Sequence, residues 1–153
     1  HGMELCDVFF QNPQTGCRTD ALVFDRDYEL VVLLNAHRPI TNGGVIVQVA
    51  DEIGSRISSL CTPEEGIPSI DFDGPVEVTF TIPRLQLFPG KYAVNVVIRR
   101  FGDTTVYLDL EAVLVFEVMA EPVRQSAHSY GHAHGIVRIA DGARLHCGVP
   151  AGV

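Results

Sequence analysis

The sequence predicts an all-β domain, an antiparallel β-sandwich, from three observations. Short segments in which apolar and polar residues alternate recur along the chain, most clearly at residues 76–82. Clusters of Gly, Pro, Asn and Asp separate these segments at turn positions. No segment keeps a helical period for more than two turns. Short strands at this spacing are typical of two packed antiparallel sheets.

The first half of the chain supplies four of the predicted strands. The strands are residues 4–10, 28–35, 45–50 and 56–60. Residues 28–35 read as a strand buried on both faces, because apolar side chains occupy both sets of alternate positions. The predicted turns are residues 12–16, the Asn42-Gly43-Gly44 break and residues 51–55. Residues 62–75 hold three Pro and two Gly, which predicts a long loop with one helical turn from Pro63.

The second half supplies the strongest strands. They are residues 76–82, residues 92–98 with Tyr92, Val94, Val96 and Ile98 facing the core, and residues 107–118. A Gly102-Asp103 turn separates the last two. Residues 121–134 read as a polar, His-containing linker, and residues 135–139 as one more strand. A late strand beyond a linker can pair with another molecule's edge, so we expect C-terminal strand exchange in a dimer.

The corner from Leu87 to Tyr92 narrows the fold class. Pro89 fixes the backbone direction ahead of Gly90. Tyr92 then occupies the position of the tyrosine corner in immunoglobulin-like sandwiches, where the phenol hydroxyl bonds to nearby backbone. The prediction is therefore an immunoglobulin-like antiparallel β-sandwich, with Tyr28 and Tyr92 in its core.

Length, composition and charge exclude several classes of protein. The 153 residues are 46% hydrophobic and 20% charged, a globular balance with enough chain for one well-buried domain. No apolar run approaches the roughly 20 residues that span a bilayer. The net charge of −8 argues against nucleic acid as a partner. We expect residues 1–3 to be an expression-tag remnant and residues 4–153 to be one domain cut from a longer protein.

One predicted sheet face is too apolar to be left fully exposed to solvent. Its apolar members are Ile46, Val97, Val113 and Val115. Among them stand polar side chains that could orient the hydroxyl groups of a ligand, namely Gln48, Asn95, Arg99 and Glu117. Tyr107 and Tyr130 are the rings expected to be exposed. Either a protein partner or a hydroxyl-rich ligand could cover this face.

Other candidate sites have simpler explanations. His132 and His134 would share one strand face, but no third ligand follows at a regular spacing, so a solvated linker is expected. Asp71 and Asp73 could imitate the carboxylate pair of a sugar hydrolase, which needs two acids roughly 5–9.5 Å apart across a cleft; we expect two exposed loop residues instead. Four cysteines without CxxC spacing predict reduced thiols.

Motifs for catalysis and cofactor binding are missing from the sequence. It contains no GxxxxGK[ST] loop, no GxSxG elbow and no HExxH helix. We therefore expect no catalytic residue, no metal and no cofactor. A small sandwich enzyme stays a third and weaker interpretation, which a turnover assay would test.

Two stretches resemble a known family. They are FTIPRLQLFPGKYAVNVVIRRFGDTTVYLDLEAVLVFEV from Phe80 to Val118, and HRPITNGGVIVQVADEIGSRISSLCT with its Asp51–Gly54 turn. Both are similar to the C-terminal carbohydrate-binding domain of the ATP-binding subunit of ABC transporters that export O-antigen polysaccharide. The chain departs from the family in lacking Trp, since a Trp often follows the family's late GIV-type strand.

The resemblance implies a function and a setting. It implies a homodimeric, non-catalytic module that follows an ATPase domain and recognises the exported polysaccharide, including its non-reducing terminus. It also implies a cytoplasmic location at the inner membrane, next to the transporter's membrane subunit. The carbohydrate-binding candidates are then Gln48, Asn95, Arg99, Tyr107 and Glu117. The alternative is an immunoglobulin-like protein–protein interaction or dimerisation module that binds no glycan.

Overall fold

The computed structural model describes residues 2–120, 135–140 and 142–147, and this part of the chain is built from β-strands without an α-helix. The strands are β1 (Met3–Gln11), β2 (Arg18–Thr19), β3 (Ala21–Val23), β4 (Tyr28–Ala50), β5 (Arg56–Cys61), β6 (Ile70–Ile82), β7 (Gly90–Arg100) and β8 (Val106–Met119). The predicted all-β class is confirmed. No helix in the described ranges could cross a membrane.

Strand β4 organises the whole domain, because its two halves belong to different layers. The half from Tyr28 to Ala36 pairs with β1 and β6, and β2 extends this layer beyond β1. The half from Gly43 to Ala50 pairs with β5 and β7, and β8 and β3 extend the second layer. Every pairing is antiparallel except that of β3 with β8. The predicted antiparallel β-sandwich is confirmed.

The core lies between the two layers and is formed by alternate residues of each strand. The side chains predicted to face inward on β7 are buried, from Tyr92 at 5% exposure to Ile98 at 0%. The rings of Phe10 on β1 and Phe116 on β8 meet across the core with centroids 4.7 Å apart. The hydroxyl of Tyr92 donates to the carbonyl oxygen of Phe88, which confirms the predicted tyrosine corner.

The predicted break at Asn42-Gly43-Gly44 is wrong as the end of a strand, because β4 continues through it. The strand is irregular there, since its register with β6 shifts between Ala36 and Gly43 and Asn42 has a positive φ of 54°. The two glycines are needed for close approach. A Cβ at Gly43 would lie 2.6 Å from the Phe72 ring, and one at Gly44 would lie 2.0 Å from the Phe101 ring. Glycine inside a strand often marks such a contact. The strand therefore continues where the sequence pattern indicated an end.

The predicted loop at residues 62–75 is wrong in its second part. Strand β6 begins at Ile70, so Asp71 and Asp73 are exposed strand residues and not loop residues. Pro75 is tolerated because β6 pairs with β4 on one side only, among the residues described. A helical-type turn follows Cys61, whose carbonyl oxygen accepts from the backbone nitrogen of Glu65 at 3.1 Å.

The predicted strand at residues 135–139 is reduced to a single bridge between Val137 and Leu87. Two backbone hydrogen bonds flank the bridge: Phe88 donates to Ile136 at 2.7 Å, and Arg138 donates to Gln86 at 3.0 Å. We call residues 135–140 the tail. The linker at residues 121–134, with Tyr130, His132 and His134, lies outside the described residues. Strand exchange in a dimer stays a prediction.

Candidate functional site

The second layer presents one surface to solvent, which we call the outer face. It consists of the side chains that point away from the core on the adjoining strands. These are Ile46 and Gln48 on β4, Lys91, Ala93, Asn95, Val97 and Arg99 on β7, and Val115 and Glu117 on β8, while the buried backbone of Gly44 occupies the next position of the same face on β4. Four of the five predicted carbohydrate-binding residues lie on this face.

A row of polar side chains crosses the middle of the outer face. Gln48 on β4 lies directly opposite Asn95 on β7, and on its other side it lies opposite Ser59 on β5. Opposed residues in an antiparallel pair have Cβ atoms about 4.5–5.5 Å apart. An amide, a second amide and a hydroxyl therefore stand side by side. The sequence predicted Gln48 and Asn95 but missed Ser59, because its position depends on the register of β5.

Asn95 has a structural role in addition to its place in this row. Its side-chain oxygen accepts a hydrogen bond of 2.8 Å from the backbone nitrogen of Ala112. Ala112 lies in a bulge of β8, where the register with β7 shifts, and it has a positive φ of 50°. The amide nitrogen of Asn95 has no hydrogen-bond partner among the described residues. That nitrogen is the part of Asn95 that can serve a ligand.

Arg99 stands at one end of the outer face beside an aromatic ring. Its Nη2 donates to the carbonyl oxygen of Asp103 at a long 3.5 Å, and its Nε, shielded from solvent, has no partner in the part of the chain described. Opposite Arg99 is Gly44, against which the half-buried Phe101 ring lies. Phe101 was not predicted from the sequence. The pattern that could have indicated it is Gly44, because a glycine within a strand often leaves room for a nearby ring.

Tyr107 was predicted to be an exposed ring, and this prediction is wrong. Its side chain is 8% exposed and belongs to the core cluster. The guanidinium of Arg100 lies 5.8 Å from its ring centroid. The β7–β8 register shifts between Ile98 and Arg99, so that Val106, at 46% exposure, is the residue opposite Arg99. Tyr107 consequently offers no stacking platform on the outer face.

Glu117 marks the other end of the outer face. It is exposed and lies opposite Lys91, while the neighbouring Val115 is 60% exposed. Lys91 and Arg99 are eight residues apart on β7, which corresponds to about 27 Å at roughly 3.3–3.4 Å per residue. The predicted residues thus do not form one compact pocket. They line an extended surface with polar ends, a polar row in its middle and apolar side chains between.

Two ionisable groups near the outer face have shifted pKa values. The backbone N–H of Thr105 donates to the carboxylate of Asp103 at 2.8 Å, which lowers the pKa of Asp103, and nearby Arg100 adds to this effect. Burial raises the pKa of the Tyr92 hydroxyl, and the charge of Asp51 raises it further. No cluster of three or more His, Cys, Asp or Glu in the described ranges could hold a metal ion. Hydrogen bonding and apolar contact are the chemistry that this surface offers.

The fold and the outer face define an immunoglobulin-like β-sandwich domain. The chain belongs to the Wzt C-terminal domain family, which its sequence matches over residues 1–139. The Wzt C-terminal domain is a non-catalytic β-domain, and membership is consistent with a carbohydrate-binding role in O-antigen export.

Comparison with solved structures supports the fold. The crystal structure of the C-terminal domain of Wzt is similar, with a TM-score of 0.76 and 12% identity over 95% of this chain and 84% of that one. The CARDB domain of a Pyrococcus furiosus protein in complex with di-metal ions has a TM-score of 0.42 and 16% identity, covering 76% of this chain and 86% of that one. The Pseudomonas fluorescens alkylpurine DNA glycosylase AlkC, bound to DNA containing an abasic site analog, has a TM-score of 0.44 and 9% identity. This match covers 76% of this chain and 30% of that one. These two weaker likenesses carry no argument about function. None of the curated proteins compared with the chain matches it.

Proposed function

We propose that this domain recognises an O-antigen polysaccharide without chemically changing it, and that the outer face is where the glycan binds. Membership of the Wzt C-terminal domain family supports the polysaccharide as ligand. The observation that supports the choice of surface is the row of Ser59, Gln48 and Asn95, which lies between half-buried apolar side chains such as Ile46 and Val97. Sugar hydroxyls need paired donors and acceptors, and sugar C–H groups need apolar contact.

The length of the outer face supports a polymer as ligand. The distance of about 27 Å between Lys91 and Arg99 exceeds the size of one sugar residue. Arg99 and the adjacent Phe101 provide one polar and aromatic end, and the cross-strand neighbours Lys91 and Glu117 provide the other. The non-reducing terminus is the part of the glycan that would occupy one of these ends.

The interaction is expected to be weak at a single site. Each hydrogen bond exchanged with solvent contributes only about 0.5–1.5 kcal/mol, and an open surface excludes little water. A homodimer would present two such sites and raise the avidity. In the proposed setting the domain follows an ATPase domain and acts next to the membrane subunit of the exporter, on the cytoplasmic side of the inner membrane.

A titration with polysaccharide tests the proposal. NMR chemical shifts of the wild-type domain are followed while polysaccharide from the producing strain, or an unrelated glycan, is added. We expect shifts at Gln48, Asn95 and Arg99 with the cognate glycan only. The variants Gln48→Ala and Arg99→Gln should weaken binding by severalfold, since each removes about one hydrogen bond.

Matched controls lie away from the outer face. Gln14→Ala removes the same side chain from an exposed turn, and Arg38→Gln changes an exposed arginine on β4 outside the second layer. Both should bind like the wild type. If the cognate polysaccharide shifts none of the outer-face resonances, or if the controls weaken binding as much as the test variants, the proposed site is wrong.

A protein-interaction module is the second candidate, favoured by the exposure of several large apolar side chains. Val115 is 60% exposed, and beyond the linker Ile139 is 98% and Leu145 89% exposed. A partner protein that covered these side chains would remove their apolar surface from water, which favours association. Sedimentation velocity of the wild type and of Val115→Glu separates the candidates: a dimer that dissociates in the variant, together with no response to any glycan, would favour this second function.

A further inference from the structure

A hollow of about 240 Å³ lies beyond the Lys91 end of the outer face. It is open to solvent and is bordered by the turn after β4, by the start of β7 and by the tail. The residues that line it are Asp51, Glu52, Ile53, Lys91, Tyr92, Gly135 and Ile136. We call it the end hollow. Pockets for small-molecule ligands usually have volumes of roughly 300 Å³ or more. The end hollow is slightly smaller than that, so it could hold a single sugar residue.

The lining of the end hollow combines charged and apolar groups. Lys91 is the chain's single lysine, and it forms no ion pair with any of the described residues. Asp51 and Glu52 add carboxylate acceptors, while Ile53 and Ile136 are 86% and 42% exposed. An ammonium donor, carboxylate acceptors and uncovered aliphatic surface are the groups that a pyranose ring requires.

The end hollow is continuous with the outer face through Lys91. The same lysine lines a neighbouring hollow together with Val115 and Glu117. Lys91 and Glu117 are cross-strand partners. A glycan chain lying along β7 would therefore reach the end hollow after passing Val115.

One wall of the end hollow belongs to the tail, and an ion pair between the buried Arg138 and the half-buried Asp25 ties the tail to the rest of the domain. The side chain of Arg138 is only 7% exposed, and its Nη1 lies 3.6 Å from Oδ2 of Asp25. The other carboxylate oxygen of Asp25 accepts from Gln86 Nε2 at 2.8 Å and from Arg84 Nε at 3.1 Å. Asp25 therefore links the tail to the loop that precedes β7, at a position that does not line the end hollow.

We propose that the end hollow is a second saccharide subsite of the polysaccharide site, and that docking of the tail and occupancy of this subsite are energetically coupled. The inference rests on the proposed function. Because residues 135 and 136 complete the hollow, glycan bound there stabilises the docked tail, and a released tail weakens glycan binding. Coupling between two binding events is reciprocal, and its usual size is about 5–150-fold in affinity.

Two variants test this coupling. Asp25→Asn removes the charge that faces Arg138 and touches no lining residue; Asn tolerates the positive φ of 70° at this position. It should speed hydrogen exchange at the Arg138 amide, which donates to Gln86, and weaken glycan binding by at least about fivefold. Lys91→Gln, on an exposed side chain, should weaken binding to a similar degree without changing exchange at Arg138 in the free domain. In the wild type, bound polysaccharide should slow that exchange.

The outcomes separate the inference from the proposed function. Asp73→Asn, on the exposed edge of β6, is the matched control and should behave like the wild type. If polysaccharide binds the wild type and either test variant equally well, or if Asp25→Asn leaves exchange at Arg138 unchanged, the inference is overturned while the proposed function stands. If no polysaccharide binds the wild type, both are overturned. Should Asp25→Asn fail to fold, Lys91→Gln and the exchange measurement on the wild type decide the question.

Discussion

The side-chain oxygen of Asn95 accepts a hydrogen bond from the backbone nitrogen of Ala112, and this 2.8 Å contact ties β7 to the bulge of β8. The same residue lies opposite Gln48 in the polar row of the outer face. A loss of glycan binding in an Asn95 variant could therefore have two causes. The stability of the fold and the chemistry of the surface need separate variants.

Asn95→Ala should lower the free energy of unfolding by about 0.5–1.5 kcal/mol, because the Ala112 amide loses its acceptor. Asn95→Asp keeps an acceptor oxygen and should retain most of that stability. Gln48→Ala is the matched control, with an expected change within about 0.5 kcal/mol. Urea denaturation followed by circular dichroism measures all three. Equal stability of Asn95→Ala and Gln48→Ala would contradict the bulge-holding role.

Gly44→Ala should destabilise the domain by about 1–3 kcal/mol, because the new Cβ would lie 2.0 Å from Cε2 of Phe101 and force the ring to move. The double variant Gly44→Ala with Phe101→Ala removes the clash with the ring and leaves only the closer contact with Thr62 Oγ1, at 3.1 Å. A double-mutant cycle in urea should then show a coupling energy well above about 0.5 kcal/mol. Strict additivity of the two changes would show that the ring does not lie against Gly44.

Tyr92→Phe should lower the free energy of unfolding by about 0.5–1.5 kcal/mol, since the buried hydroxyl donates to the carbonyl of Phe88. Tyr107→Phe is the control, a buried tyrosine whose hydroxyl has no hydrogen-bond partner among the described residues. Thermal unfolding of both variants compares them directly. A larger loss in Tyr107→Phe than in Tyr92→Phe would be the opposite of this expectation.

Asp103 should contribute a pH-dependent part of the stability. The pKa of Asp103 is lowered in the folded state, so its contribution is present above the ordinary Asp pKa of about 4 and is lost as the pH falls through the lower folded value. Asp103→Asn keeps an oxygen for the Thr105 amide but removes the charge. The free energy of unfolding of the wild type should exceed that of this variant at pH 6, and the difference should become smaller as the pH is lowered. A constant difference across that range would exclude the effect.

Alternation along single strands was enough to predict the layers and most of the core. Val78, Phe80 and the inward residues of β7 are buried as their spacing indicates. Glycine was harder to interpret, because Gly43 and Gly44 give the same local signal whether they form a turn or make room for a ring. Pro75 was misleading for a similar reason, since only the pairing of β6 on one side permits it in a strand.

The candidate site was predicted as a face but not as a set of neighbours. Because side chains alternate between the two faces of a strand, the sequence correctly places Asn95 and Arg99 on the same side of β7. Tyr107 was misplaced because the register shift next to Arg99 exchanges the inward and outward positions, and such a shift depends on cross-strand geometry. Ser59 and Phe101 were missed because each enters the surface through contact with another strand.

Strand β4, with its 23 residues, is the central member of both layers. Neither layer is expected to unfold on its own, because losing either one would leave half of the shared strand without its partners. We therefore expect the domain to unfold in a single cooperative transition without a half-folded intermediate. Cleavage of the backbone between Ala36 and Gly43 would separate the two halves of that strand, so a pair of fragments divided there is expected to reassemble poorly.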